Sequence, residues 1–385
     1  MRLSVAKTLG VAGLALAAIA PAMAMAKTFI YVSNAADGDI STFELAPNTG
    51  KLTAGPRIPA GPGVAPLTVS PDRRYLYAAV RGKPYKVITF EIDKANGQLK
   101  HISEAPLADS FPYISLDRTG RYLFGVSYDG DIVTVNAVDR HGKVAEQPLQ
   151  TLKTSQNAHS IRVDNSNKFV FVPNLGGERV LQYTFDANTG KLTPNDPPSV
   201  TTASGTGPRH VVVAPDNKYV YVLNELLATV TSYALDQKTG LLRIVSTADS
   251  MQPGSKLVPG APRGPMRTKN PGMRPHDNTS HDIWAADIHL TTDNRFLYTS
   301  ERTSSTLAAF KVDLREGSLG YIGSYPTEKQ PRGFAITPDN KYLLATGELS
   351  PTLSLYKIDS HSGELALDAK YPVGGGANWV EVVKF

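Results

Sequence analysis

The chain predicts an all-β protein, a seven-bladed β-propeller of four-stranded antiparallel blades. Three observations lead there. Short strands rich in β-branched and aromatic residues, such as Lys168-Phe-Val-Phe-Val-Pro173 and Lys218-Tyr-Val-Tyr-Val-Leu223, recur between polar turns. A unit of polar turn, aromatic strand, alternating strand and Gly-x-Leu turn repeats through the chain. The two ends complement each other.

The repeat is measured by two independent markers. The aromatic residues that open the strand after the polar turn are Tyr75, Tyr122, Phe169, Tyr219, Phe296 and Tyr342, spaced by 47, 47, 50, 77 and 46. The turn glycines are Gly50, Gly97, Gly142, Gly190, Gly240, Gly317 and Gly363, spaced by 47, 45, 48, 50, 77 and 46. Both series give the same period and place one insert of about thirty residues in the same repeat. Four short strands in each of seven such units describe a propeller. A solenoid would need polar terminal caps. Instead, the first repeat starts at Lys27-Thr-Phe-Ile-Tyr-Val with no inner strand before it, and the chain ends on Gly376-Ala-Asn-Trp-Val-Glu-Val-Val. Pairing these ends would supply the missing strand, close the ring and leave no open sheet edge. Residues 27–385 are therefore expected to be one propeller domain.

Composition agrees. Among 385 residues, Gly (32) and Pro (28) are abundant and only 19% are charged, which suits a turn-rich β chain rather than a coiled coil. An apolar share of 41% excludes a disordered chain. The absence of cysteine excludes disulfides, a thiol nucleophile and thiolate-held zinc. The formal charge is +5, but without a long Lys/Arg run or a recognition motif it indicates no nucleic-acid partner.

At the amino terminus, Arg2 and Lys7 precede an apolar run from Leu9 to Ala20, followed by Pro21 and the Ala-Met-Ala-Met-Ala stretch ending at Ala26. This is the pattern of a cleaved secretory signal over residues 1–26, with Ala26 favoured over Ala24 as the last residue removed. The run is shorter than the roughly 20 residues that span a bilayer. The mature protein is accordingly expected in the periplasm with no membrane partner. The insert, between Asp249 and His281, carries six prolines and the basic residues Lys256, Arg263, Arg267, Lys269 and Arg274. It reads either as a solvated loop or as a rim over a pocket.

Comparing equivalent positions of the repeats locates the chemistry. Ten residues before the aromatic marker stand Ala65, Pro112, His159, Arg209, Ala286 and Arg332, with Asn378 at that place on the closing strand. His210, Asp287, Gly333 and Trp379 come one step later. Six residues after the marker stand Glu225, Arg302 and Glu348, with Asn174, Asn224 and Glu301 one step earlier. An inner strand running down and its antiparallel neighbour returning put both loci on one rim. His159, Arg209, Glu225, Asp287, Arg302 and Arg332 should then converge on one mouth of the channel. Three arginines among mixed charges suit an anionic or oxyanion-forming small ligand. Each residue also has a plainer reading: His159 could bond a neighbouring blade, the arginines could be salt-bridged to Glu225 or Asp287, and His210 and His289 could pack on their strands. No dinucleotide fingerprint, P-loop or His-Glu-x-x-His motif occurs. No cofactor is expected; a divalent ion held by Glu225, Asp287 and His159 stays an open alternative that their spacing does not call for.

The stretches Asn157-Ala-His-Ser160, Gly207-Pro-Arg-His210, Asn224-Glu225, Trp284-Ala-Ala-Asp-Ile-His289, Arg302-Thr303 and Gln330-Pro-Arg-Gly333 resemble those of the seven-bladed propeller lactonases. That family includes the propeller-type bacterial 6-phosphogluconolactonases and resembles fungal carboxy-muconate lactonising enzyme. The resemblance spans Lys27 to Phe385. It implies catalytic roles for His159, Arg209, Glu225 and Arg302, and hydrolysis of a sugar lactone to its open acid. Arg332, Asp287, His210, Asn174 and Asn378 are added as substrate-binding candidates. The leader and the insert depart from the cytosolic phospholactonase pattern, so the expected substrate is an unphosphorylated aldonolactone such as glucono-1,5-lactone. The alternatives are the 6-phospho lactone, a muconate-type cycloisomerisation and a propeller that only binds. The sequence sets no oligomeric state.

Overall fold

The computed structural model describes residues 3–4, 26–47, 49–263 and 279–385. Apart from residues 3, 4 and 26, the expected leader lies outside the described residues, as does the middle of the insert, 264–278. Every regular element among the described residues is a strand. The strands form seven antiparallel sheets, the blades, which in chain order span 28–59, 64–106, 113–153, 162–201, 208–249, 285–326 and 334–372. Six have four strands. The first has its outer strand split into Leu52–Ala54 and Ile58–Pro59, and takes its innermost strand from Ala377–Lys384.

That last strand closes the ring. Thr28 to Asn34 pairs antiparallel with it, Ile30 opposite Val382 and Ser33 opposite Trp379. The inner strands of successive blades then contact one another around the whole circle, blade 7 touching the closing strand and that strand touching blade 2.

The two sequence markers turn out to be halves of one contact. Each turn glycine is in the left-handed region, with φ between 72° and 77°, and a Cβ there would overlap the aromatic marker of the preceding blade. Gly142 faces Tyr75, Gly190 faces Tyr122, Gly240 faces Phe169, Gly317 faces Tyr219, Gly363 faces Phe296 and Gly50 faces Tyr342. The seventh pair, Gly97 on Phe29, reveals the first repeat's marker, which has no polar turn before it. Five of the six polar turns, all but the one before Tyr219, also have a common cause. Five residues before the marker, Ser70, Asp117, Asp164, Thr291 and Thr337 each accept a hydrogen bond from the marker's own amide. Around the channel, the inner and second strands of every blade are almost wholly buried.

Candidate active site at one mouth of the channel

The inner strands are irregular at the positions singled out above. Ladder register shifts at Ala65–Pro66 in blade 2, at Arg209 in blade 5, at Ala286–Asp287 in blade 6 and at Asn378 on the closing strand. In blade 4 the ladder breaks between the Ala158–Asn174 bridge and Arg162, leaving His159 in the gap with its amide bonded to the Pro173 carbonyl. A bulge turns a residue out of the sheet's alternation, so these breaks aim side chains into the channel.

Arg209, Glu225 and Arg302 meet directly. Glu225 Oε2 accepts Arg209 Nε at 2.6 Å and lies 3.1 Å from Arg302 Nη2. Its other oxygen accepts no hydrogen bond among the described residues. Arg302 donates to the carbonyls of Trp284 (3.0 Å) and Ala285 (3.1 Å), and its guanidinium carbon stands 3.6 Å from the Trp284 ring centroid. Arg263, from the base of the insert, stands 3.7 Å from the same centroid. Two guanidinium groups that close cannot share a face, so Trp284 is sandwiched between them. Burial pulls Arg209 down to about 9 and Arg302 to about 10, so both remain cationic at neutral pH.

Behind Arg209 stands a second row. Arg209 Nη1 donates to the Ala286 carbonyl and lies 3.0 Å from His210 Nε2, while His210 Nδ1 lies 2.8 Å from Asp287 Oδ1. Burial, then the nearby Arg209 charge, pulls His210 down to about 3. Burial alone would raise Asp287, but His289 at 3.1 Å and the His210 hydrogen bond hold it well below the usual carboxylate range. His210 is therefore neutral and Asp287 ionised. His210 must donate through Nδ1 to Asp287, which leaves Nε2 to accept from Arg209. His159 packs edge-on to His210, ring centroids 5.2 Å apart, and to Tyr128 at 5.5 Å. Burial and then the Arg209 charge lower its pKa well below 6.5, so this imidazole is neutral too. Its Nδ1 is buried without a hydrogen-bond partner.

Arg332 completes the circle, 5.7 Å over Trp379 and 3.9 Å from Glu348 Oε1. Of the residues named from sequence, His159, Arg209, His210, Glu225, Asp287, Arg302 and Arg332 thus gather at one mouth, none more than 7% exposed. Asn174 and Asn378 are buried there as well, and Asn174 Oδ1 is buried with no hydrogen-bond partner. Asn174 donates to the Val172 carbonyl at 2.6 Å, and Asn378 Oδ1 accepts from Ser33 at 2.9 Å. Among the described residues no group of three or more His, Asp or Glu side chains is placed to hold a metal ion.

Two residues at this mouth escaped the sequence reading. Arg81 and Tyr128 stand six positions after Tyr75 and Tyr122, the register of Glu225 and Arg302, and extending that comparison to every repeat would have found them. His210 and Asp287 are separated by 77 residues, and no spacing announces their pairing.

Comparison with known proteins agrees with this architecture. The family model "Lactonase, 7-bladed beta-propeller" matches residues 29–382. A 6-phosphogluconolactonase of Serratia proteamaculans is 36% identical over 310 residues, covering 80% of this chain and 85% of that protein. A 6-phosphogluconolactonase of Erwinia tasmaniensis is also 36% identical over 310 residues, covering 80% and 84%. Among solved structures, the periplasmic gluconolactonase PpgL of Pseudomonas aeruginosa superposes with a TM-score of 0.78 at 25% identity, over 93% of this chain and 99% of that one.

Proposed function

The chain belongs to the seven-bladed β-propeller lactonase family and has its reaction, hydrolysis of a sugar lactone; from that premise we propose that the substrate is 6-phosphogluconolactone, opened at the mouth that holds His159, Arg209, Glu225 and Arg302. The observation that carries the site is the buried Arg209–Glu225–Arg302 cluster beside a neutral imidazole with an unpartnered nitrogen. The 6-phosphogluconolactonase relatives support the phosphorylated substrate over the unphosphorylated one expected from the leader.

His159 accepts a proton from the water whose oxygen attacks the lactone carbonyl carbon. Negative charge then gathers on the carbonyl oxygen, where Arg209 and Arg302 supply fixed positive charge before it develops. Glu225 holds the two guanidinium groups at one spacing that neither would keep alone. When the tetrahedral intermediate collapses, the bond from carbonyl carbon to ring oxygen breaks and His159 returns its proton to that oxygen. The product is the open acid, which ionises in solvent. Asp287 acts at one remove, fixing the His210 tautomer that accepts from Arg209.

A second reading is hydrolysis of unphosphorylated gluconolactone in the periplasm. It is favoured by the likeness to PpgL and by the leader pattern at residues 1–26. In either reading Lys27–Phe385 acts as one mature domain. Acid release from both lactones, corrected for spontaneous opening, decides between them. A kcat/KM at least ten times higher for the 6-phospho lactone sustains the first reading, and the reverse order sustains the second. Activity on neither would remove both.

A further inference from the structure

Two arginines at the mouth, Arg332 and Arg81, keep guanidinium nitrogens that no other group of the described residues fills. Arg209 and Arg302 share Glu225. Arg332 has only Glu348, at 3.9 Å from its Nε, and Glu348 also accepts a hydrogen bond from Gln330. Its Nη1 is buried with no hydrogen-bond partner. Arg81, at the top of the second strand of blade 2, donates through Nε to Ser110 Oγ at 3.1 Å, and among the described residues no carboxylate comes within 4 Å of its guanidinium. Both Nη groups of Arg81 have no hydrogen-bond partner among the described residues.

Half-buried Arg81 stands at the register of Glu225 and Arg302, six residues after its blade's aromatic marker, and within electrostatic reach of Arg332 and Arg209 from blades 7 and 5. Burial, then Arg332, pulls it down to about 10, and Asp129 and Glu348 oppose that shift only in part. Two neighbouring cations with unused donors repel each other, and Glu348 and Asp129 offset that repulsion without filling the donors. A doubly charged oxyanion removes the repulsion and fills the donors, because planar guanidinium forks match phosphate oxygens.

We propose that Arg81 and Arg332 form a phosphate-binding subsite at the mouth, receiving the phosphate monoester of the substrate while its lactone carbonyl lies against Arg209 and Arg302. Arg81 is then the residue that separates phosphorylated from unphosphorylated lactones. This deepens the substrate reading above and rests on it, so the test has one arm that needs no turnover.

In the first arm, kcat/KM is measured for 6-phosphogluconolactone and for gluconolactone on wild type, Arg81→Ala, Arg81→Lys and Arg332→Gln, with melting temperatures to establish folding. The ratio of the two constants should fall roughly 10- to 100-fold in Arg81→Ala, mostly through KM, as expected for loss of a charge-assisted contact. Arg81→Lys should recover part of it. In the second arm, inorganic phosphate and 6-phosphogluconate are titrated while following Trp379 fluorescence, since Arg332 lies over that ring. Both should bind wild type and bind Arg81→Ala at least ten times more weakly. A ratio that stays at its wild-type value, or equal losses for both lactones, overturns the subsite as a substrate device. Should wild type open neither lactone, Arg81-dependent binding of 6-phosphogluconate still upholds the subsite, and binding that ignores Arg81 rejects it. If Arg81→Ala does not fold, Arg332→Gln carries the same comparisons.

Discussion

The blade interfaces and the channel mouth use the sevenfold repeat in opposite ways. At the interfaces, the same two residue types meet seven times, a left-handed glycine against an aromatic ring. At the mouth, one register position holds Ala35, Arg81, Tyr128, Leu175, Glu225, Arg302 and Glu348 in successive blades. Where the repeat is kept, it answers a packing demand that every blade shares. Where it is abandoned, the seven positions together surround one ligand, and each must supply something different.

Replacing His159 should have the largest effect on that contrast. His159→Ala should lower kcat by roughly 10²- to 10⁴-fold, the usual value of a positioned proton acceptor, with little change in melting temperature. Wild-type turnover in a folded His159→Ala protein would detach the mouth from catalysis. Arg302→Ala should cost roughly 10²- to 10³-fold in kcat for loss of an oxyanion donor, and kinetics at saturating substrate measure it directly. At the interfaces the consequence falls on stability instead. Gly240→Ala should destabilise the fold by about 1–3 kcal/mol, because a methyl group there collides with Phe169 in a backbone conformation that disfavours any side chain. Denaturant midpoints should show that loss while kcat of the folded protein stays at its wild-type value; a changed kcat would mean that the two regions are coupled.

The smallest effect is in pH. His159 titrates well below 6.5 in the folded protein, so kcat/KM should hold as pH falls through 6.5 and decline only at lower pH, a limb that His159→Ala abolishes. Stability carries the same sign. His159 and His210 are held neutral when folded but charge near 6.5 when unfolded, so the fold loses stability as pH drops below 6.5 toward their depressed values, about 3 for His210. Acid titration of Gly240→Ala, already nearer its unfolding limit, should expose this first.

The sequence revealed the architecture because a contact made seven times leaves seven copies of both its partners. Phe29 is not legible as the first marker because no polar turn precedes it. The mouth was partly legible by register, which placed Arg209, Glu225 and Arg302 together. Register does not tell which neighbours pair across blades. The Asp287–His210–Arg209 row and the Arg263–Trp284–Arg302 sandwich depend on where bulges aim side chains, and a bulge leaves no spacing signal of its own. Arg81 was legible in principle, at the register of Glu225, but stands in a repeat with no other charged residue at the mouth to draw notice.

The union of Thr28–Asn34 with Ala377–Lys384 also dictates a timetable for biosynthesis. The strand that completes the first blade is made after every other strand of the ring, so the nascent chain carries an unfinished first blade until Ala377–Lys384 has been synthesised. A stop codon anywhere before residue 377 would therefore leave the ring open at its first blade, however completely the intervening blades had already paired their backbone groups.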